Sequence, residues 1–584
     1  MFKLKNIQNR NFYYLLALIA ILTFSNFIYT GFSTNDDYEY YTRYFTDANV
    51  WKSSYEYAKM NGRFYFAFMQ PLFNIIIPYS FDSLVLTRIF NLVLIFLGAI
   101  IFAINLKIVF KTSKYSYLFV LFYLVFVTIK GGNNPIISYP FYFSTSWVFF
   151  QLATYFFIKF LNDDVKKYKF YSLFFYSLAL LFYEMYLVYS LMFIAITFIF
   201  YYNLNWKISV LNLFKKNNLL MYANIVYVVV YYAFKKQISS ELYDGVNIAG
   251  EFKFYSFARA MFYLSKGAMP LHLYFSGHGV YDNCSYLLGG HVQSVLTPIL
   301  NIKIEWLVKS ILVATGLMII AKKYKETNSN LFDVKQKIML FLLSFALIYV
   351  PHFLLALTVK YQYYTNMGMD NYITSYFSSF IFFSWLVFLT YLILSIKYDL
   401  VKNIVFALFV FIVSVSSILI DYSNFHAKKD LEKVYEFFES IDYLVKSEDF
   451  KAIKDSSVIV APDLFKVNSD ISYYNVGNFD IMRYVKAKTN RTFIFFKDSS
   501  LINTPNPNNY FLTYKTTKNG YYFLITKANS HETKLFIRST KSKETINVFD
   551  RDSVFSDNIT LNNKEGMSTI TYKKFDHNRF VVAN

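Results

Sequence analysis

Cysteine is almost absent: Cys284 stands alone, which excludes an internal disulfide and leaves no thiolate set for a metal ion. Charge is scarce as well. Asp, Glu, Lys and Arg make up 16% of the chain, where a soluble domain carries roughly 25%. Acidic residues are the scarcer kind, 38 against 58 basic ones, for a formal net charge of +20. In a soluble protein that excess would suggest nucleic acid. Here Lys and Arg gather in short stretches between apolar runs, where they set orientation and meet anionic headgroups, so no nucleic-acid partner is expected. An internal repeat of the kind many transporters carry is missing too.

Apolar residues fill the space that charge leaves: 55% of the chain is hydrophobic and 22% aromatic, with mean hydropathy +0.31. Apolar runs that fit membrane-spanning helices recur near 12–32, 84–106, 115–130, 145–160, 170–183, 186–203, 218–234, 305–321, 338–358, 376–396 and 403–420, with 170–203 too long for one crossing and read as a tight pair of short ones. No water is available in hydrocarbon to satisfy the backbone, so each run is expected to be helical. The first follows a short basic segment (Lys3, Lys5, Arg10) and reads as an uncleaved signal anchor, since no small-residue cleavage site follows it cleanly. With the N-terminus inside, every inner loop is basic. They hold Lys107, Lys111 and Lys114; Lys159, Lys166, Lys167 and Lys169; Lys207, Lys215 and Lys216; Lys322, Lys323, Lys325, Lys335 and Lys337; and Lys397 and Lys402. Counting 64–80 as a further span would place these loops outside, so that stretch is expected to lie at the outer surface. The fold class expected is therefore an all-α polytopic membrane protein of about eleven transmembrane helices, over residues 1–420. Its outer loops would be 33–83, 235–304 and 358–375.

From 421 to 584 the character changes. Charged helical stretches (Lys428 to Phe450) give way to alternating runs at Ser457–Ala461, Thr492–Phe496 and Tyr521–Ile525. These predict a soluble extracytoplasmic domain that is α/β or strand-rich.

The most informative segment follows the first span: Thr34–Asn35–Asp36–Asp37–Tyr38–Glu39–Tyr40, then Arg43, Trp51, Glu56 and Asn61–Gly62–Arg63. Adjacent carboxylates raise each other's pKa, and such pairs often mark function. A solvated acidic turn, or an N-cap for the next helix, produces the same two residues. Asp163–Asp164, among Lys166, Lys167 and Lys169 in an inner loop, is an internal control read as an ordinary solvated turn. Glu184 stands in the apolar Leu–Phe–Tyr–Glu–Met–Tyr–Leu at a turn between two short spans. A carboxylate there costs roughly 2.5–3.5 kcal/mol if central, so a functional or paired role is the default.

A short first span, an Asp–Asp pair at its outer end, aromatics around it and the Gly62–Arg63 step resemble the GT-C superfamily of membrane glycosyltransferases. The nearest likeness is to bacterial enzymes of the O-antigen glucosyltransferase type. That resemblance implies a transferase of the bacterial cytoplasmic membrane, with its site on the outer face. The donor would be a polyprenyl-phosphate-linked sugar and the acceptor a cell-surface polysaccharide. Asp36 or Asp37 would be the general base, and the other would orient the acceptor or hold a divalent cation, the one cofactor the sequence suggests. Glu184 would bind acceptor or position the base, facing one outer cavity with Asp36. Arg43 or Arg63 would stabilise the departing phosphate, with Glu39, Lys130 (beside Gly131–Gly132) and Tyr372 as further substrate contacts. Lys360, Tyr363 and Asp370 flank the same outer turn as Tyr372. His272, His278 and His291 lack tight metal-ligand spacing, so Leu271–His291 reads as a covering loop. Arg88 and Lys309, near outer helix ends, are expected to snorkel. A lipid-linked-sugar flippase and a polysaccharide polymerase or assembly protein are the competing readings, and neither requires Asp36 or Asp37.

Overall fold

The computed structural model describes residues 2–34, 37–39, 41–42, 49–69, 83–129, 134–201, 206–237, 253–275, 296–326, 334–366, 372–475, 480–497, 509–517, 520–527, 532–539, 543–550, 556–562, 567–573 and 580–583. The chain divides into two compact units: Met1–Ser33 with Asn49–Leu431, and Thr34–Ala48 with Glu432–Asn584.

The first unit is helical, and the chain is a helical membrane protein. Leu84–Val109, Ile304–Lys323, Lys335–Ala356, Ile373–Leu394 and the first part of Asp399–Lys446 are long and apolar enough to cross a bilayer. Phe12–Phe24, Ser113–Phe126 and Tyr186–Phe200 are apolar but shorter. Tyr142–Asp163, Lys166–Leu180 and Trp206–Lys236 occupy other expected stretches. The core is aromatic: Trp147, fully buried, packs against Phe377 and Phe380 with ring centroids 5.0 and 4.8 Å away. Gly98 admits that ring, since a Cβ there would meet Trp147 Cδ1 at 2.6 Å.

Two helices stop earlier than hydropathy alone suggests, and beyond each stop a remote side chain satisfies the freed backbone. Ser113–Phe126 gives way to extended backbone at Val127. There the Asn424 amide donates to the Val127 carbonyl at 3.1 Å and accepts the Ile129 N–H at 3.0 Å. The first α-helix ends at Phe24, and a short 3-10 turn, Ser25–Phe27, follows. Beyond that turn, buried Arg88 donates from Nε to the Thr30 carbonyl at 3.3 Å and from Nη2 to the Gly31 carbonyl at 2.5 Å. Non-helical backbone inside such a bundle persists only where protein groups satisfy it. Arg88 therefore does not snorkel as expected. Lys309 does not either: it is 1% exposed, and its ammonium sits 2.6 Å from Asp421 Oδ1. Within the stretch Lys335–Ala356 the α-helix Val334–Leu347 gives way to a 3-10 turn, Val350–His352, whose Pro351 cannot donate to a helix ladder.

The region 235–304, expected as a loop, contains the helix Phe254–Lys266, which packs on Val359–Asn366. Of 64–80, only 64–69 lies within the described residues, as turns leading into a short helical stretch. Arg43, Asp36, Lys130, Asp370, His278 and His291 lie outside the described residues.

In the second unit, β1 (Val458–Val460) pairs in parallel with both β2 (Ile494–Phe496) and β3 (Asn509–Thr517). Antiparallel pairing continues through β4 (Gly520–Lys527), β5 (Glu532–Ser539) and β8 (Met567–Lys573), giving a six-stranded sheet of order β2-β1-β3-β4-β5-β8. A separate three-stranded sheet contains β6 (Lys543–Asp550), β7 (Ser556–Asn562) and β9 (Phe580–Ala583). The alternating runs read from the sequence fall on β1, β2 and β4. Asp399–Lys446 passes from apolar to charged sequence as one unbroken helix, and the division between the two compact units falls within it at Leu431.

Candidate functional site

The helix Val50–Asn61 is capped by Asn49, whose side chain accepts the Lys52 N–H at 3.0 Å. It ends at Gly62 with φ 63°, a left-handed conformation that glycine adopts freely. The Gly62 N–H bonds to the Lys59 carbonyl at 3.1 Å and the Arg63 N–H to the Ala58 carbonyl at 3.0 Å, a Schellman closure. That sharp stop fixes where Arg63 leaves the helix.

Arg63 Nη2 donates to Glu184 Oε1 at 2.8 Å, with the two side chains 12% and 17% exposed. The hydroxyl of Tyr65, a fully buried residue, donates to Glu184 Oε2. Both carboxylate oxygens are thus engaged. Glu184 lies in the turn between Lys166–Leu180 and Tyr186–Tyr189, and its own carbonyl accepts the Leu187 N–H at 3.0 Å. Burial alone would lower the Arg63 pKa. The Glu184 carboxylate and the tyrosines around it outweigh that, holding it well above the usual arginine range and permanently charged. Arg63 Nε is buried with no hydrogen-bond partner among the described residues. Its guanidinium also lies 5.7 Å from the Phe66 ring centre.

Tyrosines surround the pair. Tyr183 lies within electrostatic reach of Tyr372, Glu184 and Arg63, and Tyr361 within reach of Tyr372, Tyr183 and Arg63. The Tyr361 and Tyr372 rings are 4.7 Å apart. Glu184 borders a cavity of about 290 Å³. Its lining includes the tyrosines Tyr183, Tyr227, Tyr231 and Tyr232, the leucines Leu354, Leu355 and Leu357, and one cation, Lys235.

Three residues singled out from sequence, Arg63, Glu184 and Tyr372, are therefore gathered in the first unit. Asp37 and Glu39 belong to the second unit. Asp37 is 2% exposed and its N–H donates to Thr34 Oγ1 at 3.1 Å, while Glu39 is half-buried. Lys360 and Tyr363 lie on Val359–Asn366, beside this tyrosine group in sequence. His272 is buried, with Nδ1 2.9 Å from the Met269 carbonyl oxygen. Among the described residues no three His, Cys, Asp or Glu side chains form a metal-binding group. Sequence reasoning missed Tyr65, Tyr183, Tyr361 and Lys235. In a chain with 55 tyrosines, no local signal separates these rings from the rest.

Comparison with protein-family models gives no match, and comparison with curated protein sequences gives none either.

Proposed function

We propose that the chain is a glycosyltransferase of the bacterial cytoplasmic membrane, moving a hexosyl unit from a polyprenyl-phosphate donor to a surface glycan. In this reading it has about eleven spans, its N-terminus is inside and its C-terminal domain is extracytoplasmic. The observation that carries it is the Glu184 cavity. Its lining combines tyrosines, which suit a sugar ring, with leucines, which suit an isoprenoid chain; Lys235 is part of that lining and Arg63 pairs with Glu184.

The chemistry asks little more of the protein. The acceptor hydroxyl attacks the anomeric carbon, and the bond from that carbon to the phosphate oxygen breaks. Asp36 or Asp37 takes the hydroxyl proton as general base. The phosphate already leaves readily, so no general acid is required, in contrast to glycoside hydrolysis. Direct displacement of this kind inverts the anomeric centre. Arg63 or Lys235 would receive the phosphate charge, and Arg63 Nε, which has no hydrogen-bond partner among the described residues, is a ready donor for it. Glu184, with both oxygens already accepting, is suited to fixing Arg63 and offering its remaining lone pairs to sugar hydroxyls.

The test is a transfer assay with the full chain in lipid nanodiscs, a synthetic polyprenyl-phosphate hexose and surface glycan as acceptor. Wild type should release polyprenyl phosphate stoichiometrically with hexosylated glycan, and Glu184→Gln should reduce the rate about tenfold or more. Movement of the donor across a vesicle bilayer without any hexosyl transfer would replace this reading with the flippase.

A further inference from the structure

The segment Thr34–Ala48, which bears Asp36 and Asp37, belongs to the same compact unit as Glu432–Asn584. Its described residues are fastened at several points. Tyr38, 1% exposed, donates its hydroxyl to the Asp480 carbonyl and packs on Phe438 and Tyr484 with ring centroids 5.7 and 6.3 Å away. Tyr41 stacks on Tyr484 at 6.2 Å, and its hydroxyl accepts from Lys488 Nζ at 2.8 Å. Lys488 in turn pairs with Asp442 at 3.5 Å, and the Tyr484 hydroxyl donates to the other Asp442 oxygen at 2.8 Å. One carboxylate, on the charged half of Asp399–Lys446, thus anchors both residues of Ile481–Thr489 that hold Tyr41. Burial, then the Asp442 charge, keeps the Tyr484 hydroxyl well above its usual range, so it stays protonated and a donor.

So short a segment has too few internal hydrogen bonds to hold a helical conformation by itself. A general base must nevertheless sit within hydrogen-bond reach of the proton it removes. We infer that Asp442, Tyr484 and Lys488 are positioning residues that hold Tyr38 and Tyr41, and with them the stretch that bears Asp37, in place, so that the C-terminal unit is a working part of the transferase. The inference rests on the proposed transfer chemistry for its consequence, and on the contacts within this one unit for the holding itself.

Two measurements on the full chain in nanodiscs test it: amide hydrogen exchange through residues 37–42, and steady-state transfer. Lys488→Met removes both polar contacts and keeps the aliphatic stem, Lys488→Arg restores a cation, and Tyr484→Phe deletes one hydroxyl while keeping the stack. Lys488→Met should speed exchange through 37–42 about tenfold, as loss of a hydrogen bond to a charged group implies. Exchange in the β3–β4 hairpin should not change. Turnover should fall about 100-fold with the donor KM unchanged within about twofold, and Lys488→Arg should recover most of both. If Lys488→Met loosens the hairpin as well, Tyr484→Phe decides by the same two readings. Unchanged exchange through 37–42 overturns the holding, and faster exchange with undiminished turnover overturns the positioning role. A wild-type chain that transfers nothing defeats the functional reading alone, and exchange still decides the holding.

Discussion

Arg63 and Glu184, separated by 121 residues, meet through a 2.8 Å charge-assisted hydrogen bond with both side chains largely buried. A pair of this kind stabilises little relative to well-packed apolar residues, yet it is costly to break from one side. Glu184→Met should destabilise the folded chain in detergent by about 3–5 kcal/mol, because Arg63 is left charged and buried. The double variant Arg63→Met/Glu184→Met should recover most of that loss. Thermal unfolding of both variants and wild type measures the coupling, and strictly additive losses would show that the two side chains act separately.

The Lys309–Asp421 pair gives a parallel test in the membrane-spanning helices. Lys309→Met should cost about 3–5 kcal/mol by stranding Asp421, whereas Lys309→Met/Asp421→Leu should be close to neutral. If Lys309→Met alone leaves the melting temperature unchanged, the ammonium reaches water and the pair is incidental.

Asn424 satisfies one backbone donor and one acceptor where the chain leaves the helix at Phe126. Asn424→Leu should cost about 2–5 kcal/mol, the sum of two buried backbone groups left without partners. Asn424→Asp, whose ionised carboxylate cannot donate to the Val127 carbonyl and would be buried without a counter-charge, should cost at least as much as Leu. Equal melting temperatures for all three would show that water reaches Val127 and Ile129.

Asp164 serves as the control for reading acidic pairs. Its carboxylate is exposed, bonds Lys216, and is held below the usual range by that hydrogen bond and the lysine charge. Asp164→Asn should leave both thermal stability and surface-glycan composition as in wild type. A lost sugar branch in this variant would contradict the reading of that turn as solvated.

The membrane-spanning character was legible because soluble folds rarely contain repeated apolar runs of bilayer length, and the strands β1, β2 and β4 because alternation is a local pattern. Helix ends were not. The stops at Phe24 and Phe126 belong with Arg88 and Asn424, side chains from distant helices whose partners no window of sequence contains. Glu184 stood out because a carboxylate in an apolar run is expensive. Its pairing with Arg63 did not, since Arg63, itself a candidate from the Gly62–Arg63 step, lies beyond any helical or strand periodicity from it. The same holds for Tyr38 and Tyr41: the sequence presents them as part of an acidic loop after the first span, while their ring partners Phe438 and Tyr484 lie some four hundred residues on.

The most direct test of the central claim is surface-glycan composition by mass spectrometry in cells expressing wild type, Asp36→Asn or Asp37→Asn at matched membrane levels. Transfer with one aspartate as base predicts that one of these substitutions removes a single sugar branch, through a rate loss of about 100-fold or more, while the backbone polymer persists. A glycan identical to wild type in both variants would contradict it, making the acidic pair structural and leaving the flippase or assembly protein as the better description.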